Sequence, residues 1–170
     1  VYKRQVANAC YYIANRHIDG KFRRAGMKRR FHNSDKYHIE YWDNELTDKP
    51  VFVIIHGLGA KTKYQWYEQL ALLKNNYRLI IPNLLHFGDT LPMEEMYDVQ
   101  DQVDMIQFLL KELEVSRYHL MGASYGGLIS GEIANNYPDQ VERLILVDAA
   151  IKFLYESDTE RVQKLFDVPS

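Results

Sequence analysis

The sequence predicts an α/β fold, a mostly parallel sheet with helices on both faces, from three observations. Apolar runs at residues 51–55, 77–81, 118–121 and 143–147 alternate with helical patterns near 64–75, 99–114 and 126–137. Each apolar run is nearly continuous, as expected of parallel strands covered on both faces, and strands spaced by helices build βαβ units. At 170 residues, 46% apolar and 13% aromatic, the chain is long enough for one domain with a sizeable core.

The elements follow in order. Residues 2–18 place Val6, Ala9, Cys10, Ile13 and Ile18 at helical spacing, with Gly20 as the expected stop. The alternating "KYHIEYW", preceded by the turn residues Asn33, Ser34 and Asp35, predicts a short hairpin whose basic residues lie outside the core. From residue 51 the βαβ pattern takes over, and after Ala150 it gives way to a charged amphipathic stretch.

Charge suggests the divisions. A net charge of -2 hides ten Lys/Arg against two Asp/Glu over residues 1–38, followed by an acidic remainder. The expected organisation is a basic amphipathic segment at 1–36, an α/β core at 37–150, and the opening of a further region at 151–170.

Several classes fall away. Cys10 is the only cysteine, so an internal disulfide and a thiolate metal site are excluded, and no metal or cofactor is expected. No run approaches the eighteen or so apolar residues of a membrane span, and the N-terminus shows no signal pattern, which leaves the compartment undecided. Nucleic acid is not an expected partner, because the chain beyond its basic end is acidic and carries no recognition motif. The cluster Arg23, Arg24, Lys28, Arg29 and Arg30 reads either as a solvated face or as a contact with anionic lipid headgroups.

Two glycine motifs carry the chemistry. In "VFVIIHGLGAKT" the Lys-Thr pair suggests a phosphate loop, but Ala60 stands where that loop needs Gly before Lys61. A dinucleotide loop fails as well, since Thr62 occupies the place of its third glycine. The second motif is "HLMGASYGG", in which Gly122-Ala123-Ser124-Tyr125-Gly126 forms G-x-S-x-G between a strand and an apolar helix. Such spacing suits a sharp strand-to-helix turn that exposes a Ser hydroxyl, with small residues at both flanks to avoid collision. The turn also sets the Tyr125 N–H at a helix start, where negative charge developing in acyl transfer would be met.

With these motifs in place, the chain from about residue 37 onward resembles the α/β-hydrolase fold family, and within it the serine lipase and esterase group similar to monoacylglycerol lipases. "VIIHGLGA" resembles its third strand and oxyanion loop, "YRLIIPNLLHFGDT" its fourth strand and following loop, "HLMGASYGG" its nucleophile elbow, and "VERLILVDAA" its sixth strand. The second departs from the family pattern, with Asn83, Leu85, His86 and Thr90 at four of its usual positions. The resemblance implies Ser124 as nucleophile and the backbone N–H groups of Leu58 and Tyr125 as oxyanion hole. His56, Gly57, Gly59, Gly122 and Gly126 support the two loops. Asp148, after the sixth strand, is the candidate acid.

The resemblance also implies a histidine base after the acid, yet every histidine here, at 17, 32, 38, 56, 86 and 119, precedes Ser124. The expectation is therefore the N-terminal part of a longer hydrolase, with a cap opening at 151–170. Its substrate would be an acyl ester or lipid. A non-catalytic binding module is the alternative, and among enzymes a thioesterase, acyltransferase, proline aminopeptidase or carbon-carbon hydrolase shares the motifs.

Overall fold

Seven strands form one sheet in the computed structural model, which describes residues 15–58, 65–92 and 98–150. Its main path runs β1 (Lys28–Asn33), β2 (Tyr37–Asp43), β4 (Arg78–Pro82), β3 (Val51–Ile55), β6 (Tyr118–Ala123) and β7 (Val141–Val147). The two-residue β5 (Leu91–Pro92) pairs with β2 beside that path. Strand β3 pairs in parallel with β4 and β6, and β6 with β7. The hairpin β1–β2 is antiparallel, as is the β2–β4 contact.

Strand alternation splits the core into two layers. Val53, Ile55, Ile80 and Leu120 face one side, where they meet helices α3 (Val99–Glu112) and α4 (Tyr125–Asn136) through Val103, Ile106, Leu109, Ile129 and Ile133. Phe52, Ile54, Leu79, Ile81 and Met121 face the other. There they meet Ile18 and Phe22 of α1 (residues 15–24) with Trp66 and Leu70, the latter on α2 (Leu70–Leu73). Each large apolar side chain buried this way contributes roughly 1.5–3 kcal/mol of transfer free energy.

The first helix differs from the sequence expectation. Helical backbone continues through Gly20 and ends before Gly26, whose φ of 74° reverses the chain. Burial explains this, because Ile18, Phe22 and Ala25 continue an apolar stripe across Gly20 onto the sheet. Residues 1–14 and the expected cap opening at 151–170 lie outside the described residues.

The hairpin forms where its alternation predicts, with Ser34 accepting from the backbone N–H of Lys36 and Tyr37 at the turn. The charge step near residue 38 falls inside this hairpin, so the basic strand β1 is a sheet member. Its cations are paired: Arg29 with Glu40 and Asp89, and Lys28 and Arg30 with Glu45. Those two cations hold the Glu45 carboxyl below the usual carboxylate range.

Among the described residues, β3, β4 and β6 are covered on both faces and β7 is not. Leu144, Ile145, Leu146 and Val147 are 38–47% exposed at the end of the sheet path. No helix among the described residues is long and apolar enough to cross a membrane.

Candidate active site

The turn from β6 into α4 places Ser124 at φ 50° and ψ -119°, in a region that L-residues seldom occupy. Such a conformation costs on the order of 1–3 kcal/mol and persists only where surrounding contacts over-determine it. Four backbone hydrogen bonds do so. The Ser124 N–H donates to the Val147 carbonyl at 3.1 Å, while its own carbonyl accepts from Gly127 (2.9 Å), Leu128 (3.2 Å) and Ala150 (2.9 Å). Ser124 is the N-cap of α4, yet its side chain makes no capping bond, and the residue is exposed. The hydroxyl is left for something other than helix stability.

Small residues around Ser124 are a packing requirement, for reasons sequence spacing alone did not reveal. A Cβ at Gly122 would overlap the Gly126 carbonyl and Ser130 Oγ, the latter already bonded to Gly126 O at 2.7 Å. At Gly126 it would stand 2.6 Å from the Ile55 carbonyl oxygen and closer still to that of His56, so α4 could not approach the end of β3. Gly127, which the motif does not single out, would press against Ala149. The only hint of its role in the sequence is the doubled glycine after Tyr125.

The loop after β3 packs directly on this turn. A Cβ at Gly57 would lie 3.1 Å from both Ala123 O and Ser124 Cβ, so glycine here serves the approach of loop to elbow. The Gly57 N–H donates to Gln65 Oε1 at 2.8 Å, and Leu58 follows, 63% exposed. Gly59 lies outside the described residues.

His56 is fully buried with both ring nitrogens engaged. Its Nδ1–H donates to the Gly57 carbonyl at 2.8 Å, and its Nε2 accepts the Leu84 N–H at 3.0 Å. Burial lowers its pKa from the usual imidazole value, against a smaller opposing effect of the Gly57 bond. The ring thus joins the loop after β3 to the loop after β4 as a neutral brace, with neither nitrogen left to take a proton from Ser124.

The other described histidines face other partners. His38 bonds Asn33, His32 lies against Phe108 with Glu112 at 3.6 Å, His119 packs on Phe52 and Tyr77, and His17 meets Tyr67 edge-on. His86 is exposed on the 83–90 loop at φ 66°. Asp148 is also exposed and left-handed, at φ 45°, between the two residues whose backbones bond Ser124. The fold therefore brings Ser124, Tyr125, Gly57 and His56 together, with Asp148 at their margin. Among the described residues, no group of three or more His, Cys, Asp or Glu is arranged to hold a metal ion.

Known proteins share this architecture. The family model described as alpha/beta hydrolase fold matches residues 50–168. Human monoacylglycerol lipase ABHD6 is 29% identical over 147 residues, covering 84% of this chain and 43% of that protein. Lipase 3 of Moraxella sp. (strain TA144) is 33% identical over 112 residues, covering 65% of this chain and 35% of that one. A solved membrane phospholipase A superposes with a TM-score of 0.73 at 26% identity, over 96% of this chain and 60% of the other. The chain spans less than half the length of these two curated relatives. Matched over more than half its length, with a strained serine turn seated between β6 and α4, the chain belongs to the α/β-hydrolase fold family.

Proposed function

We propose that this chain supplies the nucleophile and oxyanion half of a serine hydrolase acting on carboxylic esters of acyl lipids. The observation that carries the reading is Ser124, held at φ 50° with its side chain unused by the helix it begins. Its Oγ attacks the ester carbonyl carbon, the alcohol leaves as the tetrahedral intermediate collapses, and water then releases the acid from the acyl-enzyme. The backbone N–H groups of Leu58 and Tyr125 are assigned to the developing oxyanion. One such donor is worth roughly 2.7–4 kcal/mol in comparable sites. Asp148 is the candidate acid of the triad.

The base, which takes the Oγ proton and returns it to the leaving alcohol, is assigned to a histidine of the longer protein, because all six histidines of this sequence precede Ser124 and His56 is occupied as a brace. Acyl lipids are favoured as substrate class by the relatives, which include a monoacylglycerol lipase, a lipase and a phospholipase A. Of the basic cluster Arg23, Arg24, Lys28, Arg29 and Arg30, the last three are paired with acidic side chains, and contact of this face with anionic lipid headgroups is a separate proposal that the ester reading does not need.

Labelling with a fluorophosphonate probe tests the proposal. The intact gene product should be labelled and should give a burst of p-nitrophenol from a p-nitrophenyl ester, with both lost in Ser124→Ala. The 170-residue chain alone should give no burst; one abolished by Ser124→Ala would overturn the assignment of the base. Absence of labelling in the intact protein would favour a non-catalytic binding module.

A further inference from the structure

We propose that Glu40, which no motif singles out, is a positioning residue for the oxyanion side of this site; the inference rests on the hydrolase reading above. Glu40 lies on β2, only 4% exposed, and its carboxylate gathers donors from residues far apart in sequence. Oε1 accepts from Arg29 Nε at 2.5 Å, and Oε2 accepts from Asn83 Nδ2 and from the Asp89 N–H, each at 2.6 Å. The Glu40 backbone adds two more ties to the same loop. Its carbonyl accepts the Asn83 N–H at 2.9 Å, and its N–H donates to Thr90 Oγ1 at 2.9 Å. Arg29 closes the ring by pairing with Asp89.

This one residue therefore holds both ends of the 83–90 loop. Gly88 marks how closely, since a Cβ there would overlap Asn83 Nδ2 and Glu40 Oε2. Leu84 follows the Asn83 anchor, and its N–H is the donor that holds His56 Nε2. His56 in turn holds the Gly57 carbonyl, and Gly57 sits against Ser124. The chain of contacts runs Glu40, Asn83, Leu84, His56, Gly57, elbow, with each link at hydrogen-bond or packing distance. A second tie, from Leu85 N–H to Gln102 Oε1 at 2.9 Å, seats the loop on α3.

Stability is a weak reason to bury such a group, because a buried ion pair is often matched by apolar residues of similar volume. What a buried carboxylate offers is direction. Here its oxygens accept from a guanidinium, an amide and a backbone N–H, which leaves the loop one register. If Leu84 shifts, His56 loses its acceptor role, and the peptide that carries the Leu58 N–H is free to turn away from the oxyanion.

The experiment uses the intact gene product with p-nitrophenyl butyrate and a fluorophosphonate probe. Glu40→Gln should lower kcat by about 10- to 10²-fold, the scale of loss from a misplacement of about 1 Å remote from the chemistry, with KM within about twofold. Labelling should slow in parallel. The double variant Glu40→Gln, Asn83→Asp reverses donor and acceptor across that bond but sets an amide NH2 against the Asp89 N–H, so it should recover only part of the lost kcat, and no recovery at all would count against the Asn83 link. Wild-type kcat in Glu40→Gln, with only the melting temperature lowered, would overturn the inference. Should Glu40→Gln fail to fold, Arg29→Gln changes the more exposed partner of the same carboxylate. It should lower kcat several-fold, and an unchanged kcat would overturn the inference equally. Wild-type protein without Ser124-dependent labelling would sink the hydrolase reading, and this inference with it; an active wild type with indifferent variants sinks this inference alone.

Discussion

Helix α3 begins at Asp98 with extended backbone, φ -116° and ψ -169°, while α4 begins at Ser124 with φ 50° and ψ -119°. Asp98 accepts the Asp101 N–H at 3.0 Å, and Asp101 accepts the Asp98 N–H at 2.7 Å, a reciprocal capping box. Ser124 belongs to an equally good capping residue type but makes no such bond. One helix start uses its polar side chain for stability. The other gives up that stability, accepts a strained backbone, and leaves a hydroxyl exposed. A polar residue at a helix start is thus informative about function only together with its backbone conformation.

Three substitutions would break or sharpen this contrast. The largest effect should come from Gly126→Ala, whose Cβ meets the carbonyls of Ile55 and His56 where α4 abuts β3. A loss of about 1–3 kcal/mol is expected in urea unfolding, with esterase activity lost as Ser124 and Gly57 separate. A stability equal to wild type would show that the elbow can relax and that its closeness is unnecessary.

Asp98→Ala should cost about 0.5–2 kcal/mol by the same measurement and leave ester turnover unchanged, because the box serves α3 alone. Altered turnover would mean that α3 reaches the site through Gln102. Ser124→Gly should do the reverse. Activity disappears, while stability rises by on the order of 1 kcal/mol, as relieved strain of about 1–3 kcal/mol exceeds the roughly 0.5–1 kcal/mol entropic cost of glycine. A destabilised Ser124→Gly would mean that the left-handed conformation carries no strain here.

Much of this was legible before any coordinates. The apolar runs mark β3, β4, β6 and β7 to within a few residues, and for β3, β4 and β6 the reason is that strands buried on both faces must be apolar at nearly every position. The G-x-S-x-G spacing points to the elbow, because only glycine avoids its collisions. Other features left little trace. The hairpin arm that becomes β1 shows no apolar face in the sequence, and the partners of its basic residues, Glu40, Glu45 and Asp89, lie 11 to 60 residues away. The first helix passes its glycine because Phe22 has a sheet to pack against.

What the sequence determined by itself is local: which segments can be strand or helix, which serine can sit in a tight turn, and which loop is rich enough in glycine to approach it. These depend on neighbours within a few residues, so periodicity and spacing record them. Tertiary structure alone decided which groups His56, already expected to support its loop, joins together, and that Glu40 fastens the 83–90 loop. Hydrogen-bond satisfaction in a buried site is a property of groups brought together in space, and the partners of Glu40 stand up to 50 residues from it in sequence.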